Sequence, residues 1–231
     1  MSQRLIAIVT GGNRGIGLEV CRQLAELNYT VILGARDQRK GERAAIGLST
    51  ERVIPRQLDV TDPQSIACLK DWVASEFGVL DVLVNNAAIH YDTWERAVTS
   101  DLNVVQEAME TNVYGPWRMV QTFLPLLRDS PHGRIVNVSS EAGSLASMGG
   151  GTPAYSMTKA ALNALTRMLA AELRQDQILV NSVCPGWVAT DMGGQGGRPV
   201  REGAASVIWA VTLTDDGPTG GFFRDGRPLA W

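Results

Sequence analysis

Tyr155 and Lys159 stand four residues apart in the run Tyr155-Ser156-Met157-Thr158-Lys159. On a helix, positions i and i+4 share a face, so the ammonium can approach the phenol. A free tyrosine has a pKa near ~10 and keeps its proton at neutral pH. A neighbouring cation favours the phenolate and lowers that value. Such a pair can give a proton to a carbonyl oxygen, or take one back from an alcohol. By itself the spacing is a weak signal, because helices contain it by chance. Its weight comes from two features upstream: a strand-like run ending in Ser139-Ser140, and a glycine-rich turn near the start of the chain.

That turn reads Thr10-Gly11-Gly12-Asn13-Arg14-Gly15-Ile16-Gly17 and follows the apolar run Leu5–Thr10. Gly11 permits a sharp turn out of a strand. Gly15 lets the backbone approach a pyrophosphate, and Gly17 lets the next helix pack closely on a sheet. A helix starting here points free N–H groups and the positive end of its dipole at phosphates. The turn's place between a strand and a helix favours a dinucleotide site over a plain loop.

The elements that must carry these groups alternate along the chain. Strands are expected at Leu5–Thr10, Thr30–Ala35, Arg52–Leu58, Leu80–Val84, Arg134–Val138, Ile178–Val183 and Gly221–Phe223. Between them the pattern predicts helices over Gly15–Leu27, from Gln38, over Asp62–Phe77, Leu102–Arg128 (bent near Gly115-Pro116), Ala154–Arg174 and Arg201–Thr212. This order implies an α/β fold: one doubly wound, Rossmann-type domain over 1–231, with about seven parallel strands and helices on both faces. In such a sheet the loops at the strand carboxyl ends carry ligand chemistry. Glycine clusters at Gly143–Gly151 and Gly193–Gly197 fall in those loops. No linker, second domain or internal repeat is visible.

Bulk properties narrow the function. The formal charge of −3 gives no general attraction for nucleic acid or anionic membrane. No apolar stretch approaches the roughly 20 residues of a membrane span, and the first apolar run is too short for a signal peptide. Cys21, Cys68 and Cys184 are too few and scattered for a disulfide framework or a metal site, and read as buried small residues in a reducing compartment. No metal is expected, and the expected location is cytoplasmic. His90 and His132 lack partners in the sequence and read as loop residues.

Together the Gly-x-x-x-Gly-x-Gly turn, Asn85-Asn86-Ala87-Ala88, Val136-Asn137-Val138-Ser139-Ser140, the Tyr155/Lys159 pair and Pro185-Gly186-Trp187-Val188-Ala189-Thr190 resemble the short-chain dehydrogenase/reductases over nearly the whole chain. Asn13-Arg14-Gly15-Ile16-Gly17, Ala35-Arg36-Asp37 and the tail Gly220–Gly226 are similar to the carbonyl-reductase branch. The resemblance implies a catalytic set of Asn112, Ser140, Tyr155 and Lys159. Tyr155 is the acid, Lys159 its tuner, and Ser140 the hydrogen-bond donor to the substrate oxygen, with Ser139 as the alternative. Asn112, unfavourable in mid-helix by propensity, is expected to hold a local irregularity and a water that feeds protons toward Lys159.

For the cofactor, the resemblance implies contacts from Gly11, Asn13, Arg14, Gly15, Ile16, Gly17, Asp59, Val60, Asn86, Ala87, Tyr155, Lys159, Pro185, Gly186, Val188 and Thr190. The acidic position that binds a ribose 2′-hydroxyl falls on Ala35, while Arg36 and Arg14 can clamp a 2′-phosphate. NADPH is therefore expected over NADH, although Asp37 beside Arg36 can blur the preference. Reduction of an aldehyde or ketone is the expected reaction. A 3-oxoacyl-thioester reductase and an alcohol dehydrogenase are rival readings, and a non-catalytic NADP-binding sensor is a more distant one. The chain lacks the insertion before the tyrosine found in some monomeric carbonyl reductases, so a homodimer or homotetramer through Leu102–Arg128 and Ala154–Arg174 is expected. The short segment between Asp191 and Arg201 implies a loose lid and an open pocket for a bulky carbonyl compound. Trp187 either shapes that pocket or merely packs.

Overall fold

The computed structural model describes residues 4–231. Its strands are β1 (Ile6–Thr10), β2 (Thr30–Ala35), β3 (Val53–Gln57), β4 (Val82–Asn85), β5 (Arg134–Val138), β6 (Leu179–Val183), β7 (Phe222–Arg224) and β8 (Arg227–Pro228). They form one sheet in the order β3-β2-β1-β4-β5-β6-β7-β8. Neighbours from β3 to β7 pair in parallel; β7 and β8 are antiparallel. The eighth strand was not expected. It is a two-residue return after Asp225 and Gly226, whose φ values of 51° and 75° make the turn. So short a strand leaves no periodicity to read.

The apolar runs of the strands divide residue by residue between two cores, because successive side chains point to opposite faces. Ile6, Ile8, Ile32, Leu83, Ile135 and Val180 enter one core with Phe123, Leu127 and Leu162. Ala7, Val9, Leu33, Val84, Val136 and Val183 enter the other with Val20, Leu24 and Val207. Burial on both faces is why these strands read as continuous apolar runs rather than alternating ones.

The helices are α1 (Gly15–Glu26), α2 (Gln38–Gly47), α3 (Pro63–Glu76), α4 (Leu102–Met109), α5 (Gly115–Arg128), α6 (Pro153–Glu172) and α7 (Val200–Val211). Side chains of Asp37, Asp62 and Asp101 accept main-chain hydrogen bonds at the starts of α2, α3 and α4. α1 starts without such a cap, which leaves its first N–H groups available to a ligand. The expected long helix Leu102–Arg128 is instead α4, a π-helical turn over Glu110–Tyr114 and α5. The irregularity lies just before Gly115-Pro116, and Asn112 sits at its centre. Cys21 and Cys184 are buried, but Cys68 is exposed, which corrects the expectation that all three are buried. No helix among the described residues is long and apolar enough to cross a membrane.

Candidate active site

Two cavities meet at Tyr155. The first, of about 480 Å³, runs over the carboxyl ends of β1, β2 and β4 and is lined by the glycine turn, Arg36, Asp59, Val60, Asn86, Ala87, Lys159 and Thr190. The second, of about 730 Å³, is lined by Ser140, Tyr91, Cys184, Gly186, Trp187, Val188 and Arg224. Tyr155, Ile16, Pro185, Thr190 and Met192 border both. Of the residues expected to touch a cofactor, all line the first cavity except Gly186 and Val188, which line the second. Asn112 lines neither, being fully buried behind the site.

The glycine turn is built for close approach. Gly11 and Gly15 have φ of 64° and 53°, in the left-handed region. A Cβ on Gly17 would lie 2.5 Å from both Asn86 Nδ2 and the Gly11 carbonyl oxygen. Asn86 in turn braces the strand end: its Nδ2 donates to the carbonyls of Thr10 (2.9 Å) and Gly11 (3.2 Å). The Thr10 hydroxyl accepts from the main-chain N–H groups of Asn86 and Ala87, each at 2.9 Å. Positive-φ glycines, an uncapped helix start and no room for a Cβ together fit a pyrophosphate cradle.

At the far end of this cavity Ala35 is buried and apolar, and the exposed Arg36 follows it. Asp37 is occupied as the cap of α2, its Oδ1 accepting from Lys40 N at 3.1 Å. That takes it away from the role of ribose acceptor. Arg14 is not free: its guanidinium pairs with Asp191 at 3.0 Å, across the mouth of the cavity. The residue patterns gave no hint of this pair, because its members lie 177 positions apart.

Around Tyr155 the hydroxyls sort themselves. Ser139 Oγ donates to Asn163 Oδ1 at 2.7 Å, away from the phenol. Ser140 lines the second cavity with Tyr155, and its Oγ accepts from Ala142 N at 3.2 Å. Burial pushes the Tyr155 phenol well above the ordinary tyrosine value, and the Ser140 hydrogen bond pulls against that rise. The lowering expected from the neighbouring Lys159 ammonium is not what the site shows: burial prevails, and the phenol keeps its proton at neutral pH. Lys159 is buried, and desolvation brings its ammonium down to about 8. Its Nζ donates to the Val138 carbonyl at 2.7 Å and lies 5.5 Å from the centre of the Tyr155 ring.

Asn112 spends its carboxamide on protein partners. Oδ1 accepts from Ile89 N at 2.9 Å, and Nδ2 donates to Ile89 O at 3.0 Å and to Thr158 Oγ1 at 3.1 Å. The side chain thus ties the π turn to the loop after β4 and to α6. The expected local irregularity is present; the carboxamide's observed work is this clamp. His90, in a left-handed conformation, pairs with Glu107 at 2.9 Å, and His132 pairs with Asp215 at 3.0 Å.

The segment after Thr190 is short, as expected, but it is not loose. Thr190 and Gly194 form a bridge, as do Val188 and Arg198. The Trp187 indole N–H donates to Gly193 O at 2.7 Å. Trp187 is 63% exposed and lines the second cavity, so it shapes the pocket wall rather than the core. Residue patterns missed Tyr91, Asp92 and Asp191, because nothing in their local sequence marks them; they matter through what the fold puts beside them.

A dinucleotide-type sheet, a glycine cradle under a helix start and a half-buried tyrosine beside a buried lysine at the carboxyl edge define an oxidoreductase of the short-chain class. The sequence profile of the short chain dehydrogenase family matches residues 5–199, and the chain belongs to that family. It is 34% identical to "Carbonyl reductase [NADPH] 1" of Mus musculus over 280 aligned positions, covering 100% of this chain and 99% of the relative. It is 35% identical to "(+)-neomenthol dehydrogenase" of Arabidopsis thaliana, covering 94% of this chain and 95% of that protein. Among solved structures it is similar to the NADPH-bound carbonyl reductase from chicken fatty liver, with a TM-score of 0.89, 30% identity, and 99% of this chain and 100% of that one covered. The mouse alignment runs to 280 positions against a chain of 231 residues, so the relative carries a stretch that this chain lacks.

Proposed function

We propose that this chain reduces an aldehyde or ketone to an alcohol with NADPH. The observation that carries the reading is the place of Tyr155: its proton-bearing phenol sits where a cofactor-shaped cavity opens into a second, larger one. Bound in the first cavity, NADPH would supply the hydride. Gly11, Asn13, Gly15, Ile16 and Gly17 would hold the pyrophosphate. Asp59 and Val60 would border the adenine, Asn86 and Ala87 would lie along the cofactor, and Pro185, Gly186, Val188 and Thr190 would meet its nicotinamide end. Arg36, and Arg14 once released from Asp191, would take the 2′-phosphate.

The carbonyl enters from the second cavity. Ser140 donates to its oxygen and stabilises the charge that develops there. As the carbonyl carbon accepts the hydride, Tyr155 gives its proton to the oxygen and completes the alcohol. Lys159 keeps its ammonium close enough to stabilise the phenolate left behind. Asn112 holds the loop and helix that carry these groups.

The walls of the second cavity, Tyr91, Trp187, Val188 and Met192, suit a bulky apolar carbonyl compound. Exposed Leu102, Trp117, Met157 and Met168 on α4, α5 and α6 support pairing of those helices in a homodimer or homotetramer. The three unpaired cysteines suit a reducing, cytoplasmic setting, and we take 1–231 as one domain.

The experiment is Tyr155→Phe, assayed by NADPH absorbance against a panel of aldehydes, diketones and ketones, with NADPH binding followed by fluorescence. Loss of turnover with binding retained is the expected result. A wild-type rate in Tyr155→Phe would sink the proposal.

A further inference from the structure

The start of α6 is capped from far away in the sequence. Pro153 opens the helix and has no N–H, so Ala154 and Tyr155 carry its first donors. The residue before it, Thr152, has φ 45° and makes no side-chain cap; its hydroxyl is instead paired with Ser156 Oγ at 2.9 Å. The two orphan donors go to one carboxylate. Asp92 Oδ2 accepts from Ala154 N at 2.9 Å, and Asp92 Oδ1 accepts from Tyr155 N at 3.0 Å. Asp92 is fully buried, at 0% exposure.

A carboxylate so placed holds more than a helix end. Its neighbour Tyr91 meets the Tyr155 ring edge-on, with centroids 5.1 Å apart and an interplanar angle of 83°. Three residues earlier, the Asn112 carboxamide grips both main-chain groups of Ile89. The segment from Ile89 to Asp92 is thus fixed at one end by Asn112. At the other end it is fixed to Tyr155 by two contacts of different kinds, one to the main chain and one to the ring.

We infer that Asp92 is a positioning residue for Tyr155: it fixes the phenol at the junction of the two cavities by holding the residue's own main-chain nitrogen. This rests on the reading of Tyr155 as the proton donor. The energetic logic is that of orientation. A displacement of about 1 Å of a reacting group can lower a rate roughly 10²-fold, and the first turn of a helix is where a lost cap lets the chain move. Asn in place of Asp retains one acceptor but turns an amide donor toward an N–H, so it cannot satisfy both donors. Ala satisfies neither.

The test is Asp92→Asn and Asp92→Ala, with 4-nitrobenzaldehyde as the carbonyl probe. Expected is a fall in kcat of roughly ten- to a hundredfold for Asn and more for Ala. The Kd for NADPH should stay within about threefold, and the solvent deuterium isotope effect on kcat should rise as proton transfer from a displaced phenol becomes slower. A kcat within twofold of wild type overturns the inference. So does a kcat that falls only in step with the fraction of chain able to bind NADPH, since that marks a general loss of folding. Should Asp92→Asn not fold, Asp92→Glu reads the same split: it keeps the charge but shifts it by one methylene. Tyr155→Phe separates the two claims. If Tyr155→Phe is as fast as wild type, the proton-donor reading fails. If it is inactive while Asp92→Asn keeps its kcat, only the role of Asp92 fails.

Discussion

The ammonium of Lys159 donates to the main-chain carbonyl of Val138 at 2.7 Å, at the very end of β5. The hydrogen bond fixes a charge inside the protein, 3% exposed, beneath the ring of Tyr155. The cost of that burial shows in its pKa of about 8, against an ordinary 10.5.

Lys159→Met should therefore separate stability from activity. Between pH 8 and 10.5 the folded chain has released a proton that the unfolded chain keeps, so stability rises with pH through that window. Below it, the full penalty of the buried charge is present. Removing the charge lifts the penalty, partly offset by loss of the bond to Val138. A Tm at pH 7 equal to or several degrees above wild type is expected, with turnover down about a hundredfold or more. A clear drop in Tm by calorimetry would contradict this account.

The pH profile follows from the same pair. Tyr155 holds its proton over the working range, while Lys159 loses charge above about 8. Reduction should run level from pH 6 to about 7.5 and decline above 8, because a neutral amine no longer stabilises the phenolate. Alcohol oxidation should rise with pH instead. A reduction rate still climbing at pH 9 would show that Lys159 does not govern it.

Cofactor choice should depend on Arg36 and on the Arg14–Asp191 pair. Arg36→Ala removes a charge-assisted contact worth about 1.5–3 kcal/mol, so KM for NADPH should rise roughly tenfold or more while KM for NADH stays level. Asp191→Asn releases Arg14 and should lower KM for NADPH a few-fold. Equal effects on both cofactors would take the 2′-phosphate away from these arginines.

Gly17→Ala places a Cβ 2.5 Å from Asn86 Nδ2 and from the Gly11 carbonyl. Neither backbone nor bracing amide can yield cheaply, so a loss of about 1–3 kcal/mol is expected, as for other overpacked sites. NADPH binding should weaken with it. Urea unfolding and fluorescence titration check both; an unchanged midpoint would mean the turn has more slack than its geometry allows.

Leu102 is 76% exposed and Met157 59% exposed, on α4 and α6, which pack against one another. Light scattering at micromolar concentration should give a dimer or tetramer, and Leu102→Glu with Met157→Glu should shift it toward monomer. A wild-type protein that scatters only as monomer would remove the pairing proposal.

What the sequence determined by itself was local chemistry and its order. The glycine spacing, the Tyr-Lys spacing and the continuous apolar strands carry their meaning over a few residues, because turn geometry, helix periodicity and burial on both faces act at that range. These features imply the parallel sheet and the glycine turn, while most of the remaining cavity lining is implied only by the resemblance to the short-chain dehydrogenase/reductases. Tertiary structure decided the rest. It turned the Ser139 hydroxyl to Asn163, put Asn112 in a π turn that grips Ile89, and tied Arg14 to Asp191. It also capped Tyr155 with Asp92, 63 positions earlier in the chain. A hydrogen bond or ion pair between distant segments depends on where the fold brings two chain positions together, and neither local sequence contains that information.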